Sequence, residues 1–203
     1  MKKEQDIVFI LDRSGSMSGI ESDTIGGFNS FIKNHKNNEN TKVTTILFDD
    51  QYEVLYERKP ITEVKKITPK EYYVRGCTAL MDAIGKTINS LDKKIKNNKV
   101  LFVITTDGLE NASREYDKNK IKKLIKKHPN WEFIYIGANI DSYSEASQIG
   151  IKSSNTANYQ KSRRGVNTLF ASVGKAFDCI CEDRELASSW KQDLDNYIEN
   201  NQV

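Results

Sequence analysis

Five apolar residues in a row, Ile7-Val8-Phe9-Ile10-Leu11, run straight into Asp12-Arg13-Ser14-Gly15-Ser16. A short run that is apolar at every position reads as a strand covered on both faces, the kind found in parallel sheets packed between helices. Where it gives out, Asp12, Ser14 and Ser16 stand at alternate positions. Alternate residues of an extended segment point the same way. One carboxylate and two hydroxyls therefore converge where a strand turns into a loop. In open α/β sheets sites form there, outside the carboxyl ends of the strands. Oxygen donors without Cys or His suit Mg²⁺, Mn²⁺ or Ca²⁺ rather than zinc.

The rest of the chain alternates strand-like and helix-like segments. Residues 6–11 read as the central strand, and the spacing of Ile25, Phe28, Phe31 and Ile32 predicts a helix over 21–36. Lys42 to Phe48 reads as a strand, Asp49-Asp50 as a turn, and Tyr52 to Tyr56 as the returning strand of a hairpin. Pro60 to Pro69 reads as irregular. Leu80, Ile84, Ile88, Leu91 and Ile95 mark a second helix, and Val100 to Thr105 a second doubly buried strand. Residues 117–128 form a lysine-rich helix with Ile121, Leu124 and Ile125 inward. A strand at Phe133–Ile136, a short helix at Asp141–Gln148 and an edge strand at 155–159 follow, then helices over 163–181 and about 186–199. Strands alternating with helices imply an α/β fold, Rossmann-like and doubly wound. Its central sheet is mostly parallel, with an antiparallel edge hairpin and helices on both faces. We expect one domain over 1–203, with a core at about 5–160 and a helical part at about 161–203.

Two later pieces match the first. Gly76-Cys77-Thr78-Ala79-Leu80-Met81-Asp82 is a loop entering a helix, and Ile104-Thr105-Thr106-Asp107-Gly108 is another apolar run ending in a carboxylate. With these three pieces in order, the chain resembles the von Willebrand factor A domain family, of the intracellular prokaryotic or phage type. Asp12, Ser14 and Ser16 are similar to its D-x-S-x-S motif, and Thr78 and Asp107 to its two distant elements. The resemblance covers the first two-thirds of the chain well and the last third more loosely. It implies a complete metal-ion-dependent adhesion site with Asp12, Ser14, Ser16, Thr78 and Asp107 as the metal residues. It also implies that a partner protein's Asp or Glu completes the coordination. Ser14, Ser16 and Thr78 supply neutral donors, while Asp12 and Asp107 balance the charge directly or through water. Few anionic ligands then leave the metal electrophilic.

Other residues near these motifs carry smaller expectations. Arg13 is expected to face solvent beside the site, either attracting an acidic partner or simply hydrated. Asp82 is expected to favour the helix N-terminus electrostatically, the alternative being a hold on the Thr78 loop. Glu110 and Asn111 follow Asp107 on its loop, as rim residues or plain loop residues. Cys77 stands where the family often has a small residue.

Several chemistries fail on spacing. Gly85-Lys86-Thr87 lacks the first glycine of a P-loop, since Leu80 holds that place. Gly15-Ser16-Met17-Ser18-Gly19 has Met17 where a nucleophile elbow needs serine. The two histidines, His35 and His128, sit at helix ends in lysine-rich stretches, so no general base stands by the serines. The lysines of 118–127 read as one solvated helix face, and a net charge of only +3 argues against nucleic acid. Arg163-Arg164 opens the C-terminal helical part as a possible second contact surface. Three cysteines, Cys77, Cys179 and Cys181, suit reduced thiols. The N-terminal apolar run is too short for a signal peptide, and no stretch reaches the length of a membrane span.

The expectation is therefore a cytoplasmic, divalent-metal-dependent protein-binding module and not an enzyme, with no nucleic acid or membrane partner. The alternative is an intracellular scaffold or regulatory subunit whose metal is structural. A metal-dependent hydrolase comes third. Partner, physiological metal and oligomeric state are not legible.

Overall fold

The computed structural model describes residues 4–96 and 98–200. Six strands, β1 (Gln5–Asp12), β2 (Thr41–Phe48), β3 (Tyr52–Pro60), β4 (Lys99–Thr106), β5 (Trp131–Gly137) and β6 (Thr156–Asn158), form one sheet in the order β3-β2-β1-β4-β5-β6. All neighbours pair in parallel except β2 with β3. The helices are α1 (Glu21–His35), α2 (Leu80–Asp92), α3 (Lys118–Lys127), α4 (Ser142–Gln148), α5 (Arg163–Cys181) and α6 (Gln192–Glu199).

Residue alternation along β1 divides the core in two. Ile7, Phe9 and Leu11 pack with Phe28 and Phe31 of α1, Val173 and Phe177 of α5, and Leu194 of α6. Val8 and Ile10 face the other way, onto Leu80 and Ile84 of α2, Ile121 of α3 and Ala146 of α4. Every residue of β1 is buried, as the unbroken apolar run requires of a central strand covered twice. The chain winds outward from β1 through β2 to β3, then crosses back to lay β4 on the other side. The strand order therefore reverses between β1 and β4, and the crevice beyond their carboxyl ends is the sheet's switch point.

Most element boundaries lie within one residue of the expected ones; α2 ends at Asp92, short of Ile95, β5 begins at Trp131 rather than Phe133, and three further differences stand out. β3 runs on to Pro60, beyond Tyr56, because its pairing with β2 is irregular between Val43 and Ile46 and Arg58 adopts a positive φ of 44°. A bulge breaks the period-2 pattern by which a strand is read. The segment expected as irregular, Pro60–Pro69, holds a 3-10 turn at Ile61–Glu63. The last helix starts at Gln192, after a 3-10 turn at Ser188–Lys191, rather than near 186.

The helical end is tied into the domain. Trp190 Nε1 donates to the Ser154 carbonyl at 3.0 Å, and Lys191 Nζ donates to the carbonyls of Ser153 at 3.0 Å and Thr156 at 2.7 Å. Residues 201–203, the tail of the expected helical part, lie outside the described residues. No described helix is long and apolar enough to cross a membrane.

Candidate metal centre

Asp12 is the last residue of β1, and its side chain is fully buried. The register pairs Leu11 with Thr105, so Thr106 comes next to Asp12. Thr106 Oγ1 donates to Asp12 Oδ2 at 2.6 Å, and the Ser14 N–H donates to Oδ1 at 2.6 Å. Beyond the strand, Ser14 is extended and Gly15–Met17 form a 3-10 turn. That geometry brings Ser14 Oγ and Ser16 Oγ to 2.8 Å. The Gly15 N–H donates to the Gly76 carbonyl at 3.1 Å, which draws in the second loop, and Thr78 Oγ1 donates to Ser14 Oγ at 3.0 Å. Gly76 itself has φ of 65°, and a Cβ there would lie 2.3 Å from Asp50 Oδ1, so this turn needs glycine.

Asp107 closes the group from β4. It is 6% exposed, and among the described residues no hydrogen bond of normal geometry reaches either carboxylate oxygen. Lys161 Nζ lies 2.9 Å from its Oδ2. Gly108 brings the backbone against the hydroxyls: a Cβ there would stand 2.8 Å from Ser16 Oγ and 2.9 Å from Thr78 Oγ1. The structure thus brings together all five residues singled out in the sequence. Asp12, Ser14, Thr78 and Asp107 are buried, and Ser16 is exposed, so the group opens to solvent on its Ser16 side.

Burial pushes the Asp12 carboxyl up to about 6; the hydrogen bonds from Thr106 and Ser14 oppose that rise, and the charge of Asp107 adds to it. Two buried acids and three hydroxyls, with both Asp107 oxygens lacking hydrogen bonds, are short of positive charge. A small hard cation supplies that charge and accepts all five oxygens. Among the described residues no group of three or more His, Cys, Asp or Glu could hold a metal, so the hydroxyls are integral to any such site. The residues present fit a divalent cation.

Around the five stands a frame that the sequence reading missed. Arg13 does not face solvent: it is fully buried, with Nε 3.1 Å from Asp49 Oδ2 and Nη1 2.8 Å from Glu53 Oε2. Arg75 Nε reaches the same Asp49 oxygen at 2.6 Å, and the Arg13 and Arg75 guanidiniums lie 5.6 and 5.4 Å from the centre of the Tyr73 ring. The Asp49 carbonyl accepts from the Ala79 N–H at 2.9 Å. One ion cluster, buried at Arg13 and Asp49 and open at Arg75 and Glu53, therefore joins the end of β1, the β2–β3 turn and the Thr78 loop. Its signal was present in the register. Asp12 pairs with Phe48, so the next residues outward, Arg13 and Asp49, are neighbours.

Asp82, Glu110 and Asn111 hold the Asp107 loop to α2. Asp82 accepts from the backbone of Arg114 at 3.0 Å, Glu115 at 2.9 Å and Tyr116 at 2.8 Å. Burial works to raise its pKa, but these three donors outweigh it and hold the carboxyl below its usual range. Glu110 accepts from the Met81 N–H at 2.8 Å, Ser113 Oγ from the Asp82 N–H at 3.0 Å, and Asn111 Oδ1 from the Thr78 N–H at 2.9 Å. Ala79, at the α2 N-cap, makes no side-chain capping bond. The open N–H groups of that helix end are thus met by a loop some 30 residues on in sequence, which fixes Thr78 relative to Asp107. Asp82 holds this loop rather than the Thr78 loop, and Glu110 and Asn111 are clamps rather than a rim.

The sequence of residues 6–171 matches the von Willebrand factor type A domain. The chain belongs to this family. No curated protein matches it. Solved structures with the same fold include proximal thread matrix protein 1 of the mussel byssus, at 18% identity and a TM-score of 0.64 over 88% of this chain and 46% of that one. The pilus adhesin SpaC of Lactobacillus rhamnosus GG matches at 14% identity and a TM-score of 0.71, over 89% of this chain and 30% of the adhesin. Manganese-loaded TRAP protein of Plasmodium vivax matches at 16% identity and a TM-score of 0.59, over 79% and 70%. This von Willebrand A domain thus spans about half the length of the mussel protein. At such identities the likeness is one of fold. Family members of this kind are binding or adhesion modules, and the five converging residues lie at the carboxyl edge of this domain's sheet.

Proposed function

We propose that the domain binds a partner protein through a divalent cation. Asp12, Ser14, Ser16, Thr78 and Asp107 hold the ion, and an Asp or Glu of the partner completes its coordination. Mg²⁺ is the expected ion, with Mn²⁺ or Ca²⁺ as substitutes; the manganese carried by the Plasmodium TRAP structure is consistent with that choice. The observation that carries the reading is Asp107, a buried carboxylate without hydrogen bonds, set against a linked set of three hydroxyls. When bound, the ion supplies an electrophilic centre for a carboxylate. The domain's own residues keep the hydroxyls aimed and the loops joined.

A purely structural metal fits less well. The Arg13–Asp49–Arg75 cluster and the Asp82, Glu110 and Asn111 clamps already fix all three loops with protein atoms alone. No catalytic step is assigned to these residues. We place the protein in the cytoplasm, where the exposed free thiol of Cys77 stays reduced.

Affinity capture in Mg²⁺, repeated in EDTA and with Asp12→Ala, tests the reading. A partner lost in both, from protein whose melting curve shows it folded, supports it. A partner retained in all three overturns metal-bridged recognition and moves the search to the helices.

A further inference from the structure

Among the described residues Lys161 is the one cation that reaches the five site residues, and it comes from outside all three motifs. Its Nζ is 2.9 Å from Asp107 Oδ2 and also donates to the carbonyl of Ser16. It thus contacts two of the residues proposed to hold the metal, on the side that opens to solvent. We propose, resting on the metal-binding reading above, that the Lys161 ammonium and the divalent ion are alternative occupants of this site. Lys161 is then a tethered internal cation that sets how tightly the metal is held.

The tether is built to deliver the ammonium. Lys161 lies between β6 and α5, and its neighbours are pinned on both sides. The Tyr159 N–H donates to the Gly137 carbonyl at 2.9 Å, and the Tyr159 hydroxyl meets Met17 Sδ at 3.8 Å, beside Ser16. Ser162 caps α5, accepting from the Gly165 N–H at 3.1 Å. Gly165 packs so closely on this turn that a Cβ would stand 1.9 Å from the Gln160 carbonyl oxygen. The backbone at 161 therefore has little freedom, while the four-carbon stem does. The side chain is 26% exposed, so an outward path exists.

Charge makes the two occupants exclusive. With Lys161 in place, one of the two acids is neutralised. A divalent ion bound by Asp107 puts two further positive charges beside the ammonium, within a few ångströms and so far inside the distance over which salt screens charge. The ammonium must swing outward as the ion enters. The metal then binds against the loss of the Lys161–Asp107 contact.

The test measures Mn²⁺ affinity calorimetrically for the wild type, Lys161→Met, Lys161→Arg and Lys161→Met/Asp12→Ala, with melting curves in EDTA and in saturating Mn²⁺. We expect Lys161→Met to bind Mn²⁺ about tenfold more tightly, Lys161→Arg to stay near wild type, and the double variant not to bind. Lys161→Met should melt below wild type in EDTA, since Asp107 loses its counter-charge, and recover fully in Mn²⁺. Unchanged or weaker Mn²⁺ binding by Lys161→Met overturns the competition and leaves the metal reading standing. An equal loss of melting temperature with and without Mn²⁺ also overturns it, by making Lys161 a structural residue only. If neither wild type nor Lys161→Met binds Mn²⁺, both readings fall together.

Discussion

Arg58 with Asp6 at the amino ends of the strands, and Asp12 with Asp107 at the carboxyl ends, are two charge clusters on one sheet, and they are completed differently. At the amino end Asp6 is 1% exposed and accepts from Arg58 Nε at 2.8 Å and from Asn98 at 2.8 Å. Glu4 joins from the side, and although burial opposes it, Asn98 and Arg58 hold its carboxyl below the usual range. At the carboxyl end burial is similar, yet Asp107 has one lysine and no hydrogen bond, and Asp12 is pushed up to about 6 by its burial. The first cluster is saturated by protein groups. The second is left short of positive charge. A saturated cluster holds elements together, whereas an unsaturated one is poised for a ligand that brings charge.

The largest effect is expected from the buried Arg13–Asp49 ion pair that frames the site. Arg13→Met strips a fully buried partner from Asp49. Such a loss costs about 3 kcal/mol or more, read as a lower midpoint in urea. Mn²⁺ affinity should fall as well, because Arg13 also holds the Thr78 loop through Asp49. A stable Arg13→Met variant would mean that Arg75 alone satisfies Asp49.

Arg58→Met comes next. It leaves Asn98 as the remaining side-chain partner of buried Asp6 among the described residues, an expected loss of about 1–3 kcal/mol. Because Arg58 sits at the far end of the sheet, Mn²⁺ affinity should not change. A coupled loss of metal binding would break the separation between the two ends.

Asp82→Ala should cost about 1–2 kcal/mol, since three backbone donors lose one acceptor. It should also speed amide exchange at Arg114, Glu115 and Tyr116. The sign with pH follows from the depressed pKa. The stabilisation from Asp82 is full above its unfolded value, about 4, and is lost as pH falls through the lower folded value. Wild type should therefore lose stability on acidification below pH 4 more steeply than Asp82→Ala. Parallel acid profiles would remove Asp82 as the anchor of the Asp107 loop.

How much of this could be read from the sequence differs with the distance over which each signal acts. The unbroken run Ile7–Leu11 and the alternate Asp12, Ser14 and Ser16 are local patterns, and the strand and its three site residues lie where those patterns put them. The long parallel elements follow for the same reason, since hydrophobic periodicity is a property of neighbours in sequence. Arg13 was misread because its partner, Asp49, is 36 residues away and was read only as a turn signal. Strand register, which puts Phe48 beside Asp12, was the missing step. Lys161 gave no local signal at all. It reaches Asp107 across 54 residues of sequence, and only the folded path of the β6–α5 turn brings them together.

The smallest expected effect separates the two clusters most sharply. Asp12→Asn removes a charge from the unsaturated end but keeps its hydrogen-bonding shape. The side-chain carbonyl can still accept from the Ser14 N–H. The new amide donor faces Thr106 Oγ1, whose hydroxyl can turn to the Gly108 carbonyl 3.1 Å away and so accept instead of donate. No buried group is then stranded, so in EDTA the variant should stay within about 1 kcal/mol of wild type. Mn²⁺ binding, by contrast, should be lost, because a neutral amide does not offset the charge of the ion. The pairing of a near-silent change in stability with a complete loss of binding is the reverse of Arg58→Met. An Asp12→Asn protein that unfolds in EDTA would show that the Asp12 charge is needed by the fold itself, and the carboxyl end would then be a saturated cluster like the amino end.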